Sequence, residues 1–198
     1  MKRSIILLIC SFLVACAYSP QQITINPVID TAAEDYGDGR AVTVSVEDNR
    51  ATKALGSRGG IYKETSLITT SNSITDAIAR AAEAKLVTQG FNINSAAAAV
   101  NNSASLKIII DELSYDLPEQ SVGKKVVLKA VLKVEIAAGD ETYTGHYRTN
   151  SERQTVITPS MAKNEEMINT LLSDTLLRLF SDPKLKAFLS NIPKAIEI

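Results

Sequence analysis

The sequence predicts an α+β domain: a two-layer sandwich with two main helices packed on one face of a mostly antiparallel sheet. Two observations carry this expectation. In residues 125–137 every even position is apolar while Lys129, Lys133 and Glu135 mark the other side, the signature of a strand with one covered face. The order of patterned segments is strand, helix, three or more strands, helix, which suits strands and helices held in separate layers.

Taken in order, Ala41 to Glu47 alternates with Val42, Val44 and Val46 on one side and Thr43, Ser45 and Glu47 on the other, a half-buried strand. Asp48-Asn49-Arg50 ends it, and a glycine-rich loop leads into a weaker strand within Ile61 to Thr70. Ser73-Ile74-Thr75-Asp76 reads as a capping box. The helix it opens runs to about Gln89, with Gly90 placed for a left-handed C-terminal cap. Its stripe is Ile74, Ile78, Ala82 and Leu86, and Phe91 to Asn94 is expected to re-enter the sheet. Ala96 to Ser105 reads as a low-complexity loop. Leu106 to Leu117 is a long strand whose phase shifts, because Leu106, Ile108 and Ile110 share one parity and Leu113, Tyr115 and Leu117 the other. A bulge near Asp111 reconciles them. In the next strand Val126, Leu128, Ala130, Leu132, Val134 and Ile136 face inward. Gly139-Asp140 turns the chain, and Thr142 to Thr155 returns as the hairpin partner. Thr158-Pro159 is expected to start the second helix, with the proline at its first position, and Ile168, Leu171, Leu172, Thr175 and Leu179 form its buried stripe. Ser181-Asp182-Pro183 stops it and starts a short helix carrying Leu185, Phe188 and Leu189.

The N-terminus is chemically the sharpest part. Lys2 and Arg3 precede an apolar run from Ile5 to Val14, the charged and hydrophobic regions of a secretory signal. The run is too short for a transmembrane helix, which needs about 20 apolar residues. Leu13-Val14-Ala15-Cys16 resembles the lipobox of bacterial lipoproteins, which implies cleavage before Cys16 and lipidation of its thiol. Cys10, followed by bulky Phe12 and Leu13, makes a poor competing junction. Two or more acyl chains give stable attachment, at about 0.8 kcal/mol per buried methylene. Ala17 after the cysteine, rather than the Asp that retains such proteins at the inner membrane, implies the outer membrane with the domain in the periplasm. The expected organisation is a signal peptide over 1–15, a lipidated N-terminus and tether over 16–40, a single domain over 41–192 and a tail over 193–198. One short edge strand, Ile23 to Asn26, is expected within the tether.

Removing the signal leaves 19 Lys and Arg against 22 Asp and Glu, with no basic stripe to suit nucleic acid. With Cys16 acylated, no cysteine remains for a disulfide, so stability rests on an aliphatic core. Enzyme chemistry is not expected. The single histidine, His146, lies in a strand, and zinc ligation by His and Cys cannot be assembled. No nucleophile elbow, phosphate-binding loop or H-E-x-x-H occurs, and no cofactor is expected. Glu165 and Glu166 are helical neighbours and read as solvated surface.

Two surfaces are candidates for partner binding. Asp48 and Arg50, with Arg58 in the glycine-rich loop, form either a salt-bridged turn or a charged loop offered to a partner. The outward residues of the best strand, Val127, Lys129, Val131 and Lys133, lie on the side of the sheet away from the helices. Val131→Glu should therefore leave the fold intact while weakening a salt-sensitive association, either between copies or with an acidic partner.

The residues Leu13 to Cys16, Ile23-Thr24-Ile25-Asn26-Pro27, the valine-alternating strand into Asp48-Asn49-Arg50, and Leu55-Gly56 together resemble the YajG family of bacterial outer-membrane lipoproteins. The order of elements downstream fits as well, so the resemblance covers nearly the whole chain. It implies location and fold, with Cys16 as the lipidation site, and carries over no catalytic residue. Two functions follow as expectations: a non-enzymatic accessory or binding module of the cell envelope, or a carrier of lipid or lipopolysaccharide. The second needs an apolar pocket of several hundred cubic ångströms.

Overall fold

The structure is a computed structural model, and it describes residues 19–30, 34–60, 62–93, 103–118 and 124–192. The signal segment, Cys16, most of the low-complexity stretch and the 193–198 tail lie outside the described residues.

A long central strand organises the sheet. Strand β5 (Ser103–Asp116) pairs antiparallel along one edge with β6 (Lys124–Ala138), which pairs antiparallel with β7 (Glu141–Thr155). The other edge of β5 is shared by two short strands. First, β2 (Ala41–Asp48) runs parallel to residues 103–110, and then β3 (Gly56–Ser57) rejoins in parallel at Tyr115. Beyond β3 lie β4 (Leu67–Thr70), antiparallel to it, and β1 (Gln21–Ile23), parallel to β4. The sheet is mixed and mostly antiparallel, with seven strands among the described residues. Helices α1 (Ile74–Thr88), α2 (Met161–Phe180) and α3 (Pro183–Ser190) complete an α+β domain; α1 packs over β2, and α2 over β6, β7 and β1.

The phase shift in β5 is a bulge: Ile110 pairs with Leu132 and Glu112 with Val131, leaving Asp111 over. Both Ile110 before it and Leu113 after it are thereby buried. In β6 every even position from Val126 to Ile136 is buried, in one apolar cluster with Ile78, Leu86, Ile168, Leu172 and Leu176 of the helices. Such a side chain stabilises the fold by roughly 1.5–3 kcal/mol when fully buried.

Helix starts follow side-chain capping. Ser73 Oγ accepts from the Asp76 amide at 3.1 Å, as the capping box requires. At the other end Gly90 takes φ +81°, and a side chain there would also strike Asp35. Helix α2 starts at Met161 rather than at Pro159, because Ser160 Oγ captures the Lys163 amide and becomes the cap. Asp182 caps α3, with Pro183 at its first position.

Other boundaries also move. The segment before β4 is a single 3-10 turn, Lys63–Ser66, held by Thr65 donating to the Tyr62 carbonyl. The return after α1 is one parallel bridge between Ala41 and Asn92. Ser103 to Ser105, expected in a loop, belong to β5, where they complete the ladder against Ala41 to Thr43.

The largest difference lies in residues 19–30. The edge strand forms at Gln21–Ile23 instead of Ile23 to Asn26, and both Ile23 and Ile25 are fully buried. The amides of Thr24, Asn26 and Val28 donate to Glu165, Asn169 and Ser173 at 2.7, 2.7 and 2.9 Å. Two extended residues advance about 6.6 Å and four helical residues about 6 Å, so alternate amides meet every fourth side chain. Glu165 is thus a rung of this ladder rather than free surface, and part of the expected tether is docked on α2.

Candidate functional site

The turn after β2 forms around a two-point ion pair. Arg50 donates from Nε to Asp48 Oδ1 at 2.8 Å and from Nη2 to Oδ2 at 2.9 Å. Lys53 Nζ adds a contact to Oδ2 at 2.9 Å. The Arg50 side chain is 5% exposed and that of Asp48 14%, so this charge is folded inward. The Arg50 hydrogen bonds outweigh burial and, with Lys53 assisting, hold the Asp48 carboxyl well below the usual carboxylate range. Of the two readings of this turn, the salt-bridged one matches the geometry. The excursion 49–54 leaves the sheet where β5 bulges: Asn49 N donates to Ile110 O, and Tyr115 N to Leu55 O. Gly56 closes it, since a Cβ there would sit 1.7 Å from the Tyr115 carbonyl oxygen.

Arg58 is also internal. Nη1 donates to Ser19 O at 2.9 Å and Nη2 to Pro159 O at 3.5 Å. With the Gln21 amide oxygen turned toward the donors, it accepts from Arg58 Nε at 3.0 Å and from Met161 N at 3.1 Å. Arg58 therefore ties the start of the N-terminal segment to the start of α2, and its charge is not displayed.

The outward strand face is where the alternation puts it. Val127, Val131 and Lys133 are partly exposed and Lys129 is exposed. Their cross-strand neighbours are Asp116, Glu112, Ser114 and Ile109 on β5, and Glu152, Arg148, Asn150 and His146 on β7. Lys133 pairs with Glu135, Lys125 with Glu152 and Lys107 with Glu47, each at 2.6 Å. The Glu135 carboxyl is lowered by Lys133 and the Lys107 ammonium raised by Glu47. This face is of mixed charge and largely self-neutralised, so it offers an acidic partner less than its lysines alone suggest. Lys107 and Lys125 are served by carboxylates on neighbouring strands, and Lys133 by one on its own strand.

One cluster escaped the sequence. Tyr143 and Tyr147 hydroxyls lie 2.8 Å apart and both donate to Asp182 Oδ2, at 3.0 and 2.8 Å. Burial first raises both phenols; the Tyr143–Tyr147 contact raises Tyr147 further but lowers Tyr143, and the Asp182 contact raises both. Burial pushes the Asp182 carboxyl up, but the Lys184 amide and the two phenols outweigh it and hold it low. The cluster latches β7 to the cap of α3. Its only sequence signal is the Tyr-x-x-x-Tyr spacing, which puts both rings on one strand face.

The described clefts are open, one with a charged rim and one with a largely apolar wall. One of about 260 Å³ lies between β7 and α2, edged by Arg153, Lys163, Glu166 and Asp174. Another of about 370 Å³ runs between residues 26–29 and α1, with Arg80 and Lys85 on its wall. Among the described residues, no group of three or more His, Cys, Asp or Glu converges as a metal site would require. No described helix is long and apolar enough to cross a membrane.

These features define an α+β domain with an apolar core, a buried ion pair and a partly exposed sheet face. The chain belongs to the YajG family of uncharacterized lipoproteins, whose family profile matches residues 27–190. No curated protein matches it by sequence. Its fold is similar to that of a Xanthomonas campestris protein of the DUF330 family, at TM-score 0.52 and 10% identity over 85% of this chain and 95% of that one. Two weaker likenesses carry no argument. A neuraminyllactose-binding hemagglutinin homologue from Helicobacter pylori gives TM-score 0.45 and 7% identity over 85% and 96% of the two chains. A PelC dodecamer from Paraburkholderia phytofirmans gives 0.37 and 14% over 77% and 96%.

Proposed function

We propose that the mature protein begins at Cys16, carries lipid on that thiol, and is held at the outer membrane with its domain in the periplasm. There it serves as a non-enzymatic accessory or binding module of the envelope, and its two helices and sheet act as a two-layer support. The observation that carries the binding role is the outward face of β5, β6 and β7, a mixed-charge surface with Val127 and Val131 at its centre. The binding module is preferred to the lipid carrier because one apolar cluster occupies the space between helices and sheet, and the clefts lie outside it and are open.

Two measurements test this reading. Labelled palmitate should enter the wild type and not Cys16→Ser, and the label should sediment with outer membranes; label retained in Cys16→Ser overturns the anchor. A photo-crosslinker at Lys129 in intact cells should capture a discrete envelope protein or a second copy. Absence of any adduct there, with adducts from Arg153 in the β7–α2 cleft, would move the binding site off the sheet face.

A further inference from the structure

Six large apolar side chains stand exposed among the described residues: Val28, Tyr62, Val87, Val156, Ile157 and Met161. Four of them gather at one end of the sheet. There β5 ends at Asp116, β6 begins at Lys124, β7 ends at Thr155 and α2 begins at Met161. The Tyr62 loop reaches the same end, since β3 runs parallel to β5 and Gly59 lies against Leu117. Val156 is 94% exposed, Ile157 75%, Tyr62 71% and Met161 51% among the described residues. The tip is held in place, because Lys124 donates to Thr158 and Arg58 to Pro159.

The N-terminal segment also departs from this end. Arg58 holds the carbonyl of Ser19 with the same guanidinium that holds Pro159. From Ser19 back to Cys16 is three residues, at most about 11 Å of extended chain. We propose that Val156, Ile157, Met161 and Tyr62 rest in the lipid surface beside the anchor, so that the domain stands upright on the membrane on this end. The inference rests on the reading of Cys16 as the lipidated residue. The occupant is a lipid bilayer, because so short a lead cannot hold this end clear of the membrane that carries the acyl chains. Aliphatic tips beside a tyrosine suit the boundary between headgroups and acyl chains, where amphipathic rings settle. The opposite end, at the Gly139-Asp140 turn between β6 and β7, then points away, with the open sheet face standing along the membrane normal.

The test uses the full lipidated protein in vesicles of phosphatidylethanolamine and phosphatidylglycerol. Ile157→Cys and, as a second site, Val156→Cys each supply one free thiol, because the mature chain has no cysteine besides Cys16. Each is labelled with an environment-sensitive fluorophore, and Asp140→Cys serves as the far-end control. Headgroup-proximal spin-labelled lipid should remove most of the emission at 156 and 157 and little at 140. Unchanged thermal transitions confirm that these exposed sites leave the fold intact. Equal, weak quenching at both ends, with palmitate present on Cys16, overturns the upright placement and leaves the anchor standing. Shielding at 157 by a second protein copy instead of lipid also overturns it. Absence of palmitate on Cys16 removes the anchor and this inference with it.

Discussion

Arg50 and Arg58 lie in one connecting segment, and both are buried, yet they are satisfied in opposite ways. Arg50 finds a carboxylate two residues away, and its Nε and Nη2 make a two-point pair within a single turn. Arg58 reaches across to the carbonyls of Ser19 and Pro159, which are 39 and 101 residues distant. The first arrangement neutralises charge locally and fixes the excursion at the bulge of β5. The second leaves the charge to carbonyl dipoles and couples three separate parts of the chain. A buried guanidinium thus acts as a local staple when its counter-ion is near in sequence, and as a long-range clasp when it is not.

The largest effect should come from taking away the counter-ion. Asp48→Ala leaves a guanidinium 5% exposed without its carboxylate, and should cost about 3–5 kcal/mol by urea denaturation. Adding Arg50→Met should recover much of that loss, because the double variant buries no unpaired charge. If the two changes add independently, the pair is not the staple inferred here.

Next is the clasp. Arg58→Ala removes charge-assisted hydrogen bonds to two carbonyls, each kind contributing about 1.5–3 kcal/mol. It should also raise hydrogen exchange and proteolysis within residues 19–29 more than elsewhere. Arg58→Lys should not restore protection, since one ammonium cannot span the same donors. A uniform loss across the chain would mean Arg58 is only a buried cation and not a connector.

Acid separates the two arginines further. The folded-state carboxyl of Asp48 is lowered chiefly by the Arg50 hydrogen bond, so its stabilisation is complete above the unfolded carboxylate value near 4. It is lost as pH falls through the lower folded value. Asp182, also lowered, contributes with the same sign. Unfolding free energy should therefore drop on acidification below about pH 5, and less steeply in Asp48→Asn. Arg58→Ala should keep the wild-type slope, because no carboxylate is involved.

What the sequence disclosed follows the same division between near and far. Strand β6 and the bulge at Asp111 were legible because side-chain parity is a local property. So were the cap at Ser73 and the helix break at Ser181-Asp182-Pro183. Arg58 was grouped with Asp48 and Arg50, as a salt-bridged turn or a charged loop, because its acceptors, two backbone carbonyls and the Gln21 amide, are distant in sequence. The docked stretch 24–28 was read as tether for a similar reason: its partners Glu165, Asn169 and Ser173 are polar and look like a solvated helix face until an extended chain lies beside them. The two-point pair of Asp48 and Arg50 was visible as a possibility, and burial decided it. Cys16 lies outside the described residues, and its proposed role rests on the junction alone.

The smallest effect is expected where an arginine is exposed. Arg148 on β7 lies directly across from Val131, whose other neighbour is Glu112. Val131→Glu therefore places a new carboxylate between an arginine and a like charge. Cross-strand pairs of opposite charge contribute roughly 0.2–1 kcal/mol, and like pairs oppose by a similar amount. The net change should lie within about 0.5 kcal/mol, as for surface substitutions in general. Val131 lies outside the core cluster, so no cavity or overpacking follows. By contrast, Leu132→Ala, one residue on and fully buried, should cost about 2–5 kcal/mol. Thermal and urea unfolding of both variants would measure the contrast across a single step of the strand. A large loss in Val131→Glu would show that this face is covered in solution, most directly by a second copy, and its dependence on protein concentration would reveal that copy. An unchanged transition together with weaker partner capture at Lys129 would assign the face to binding, and an unchanged capture would leave it as solvated surface.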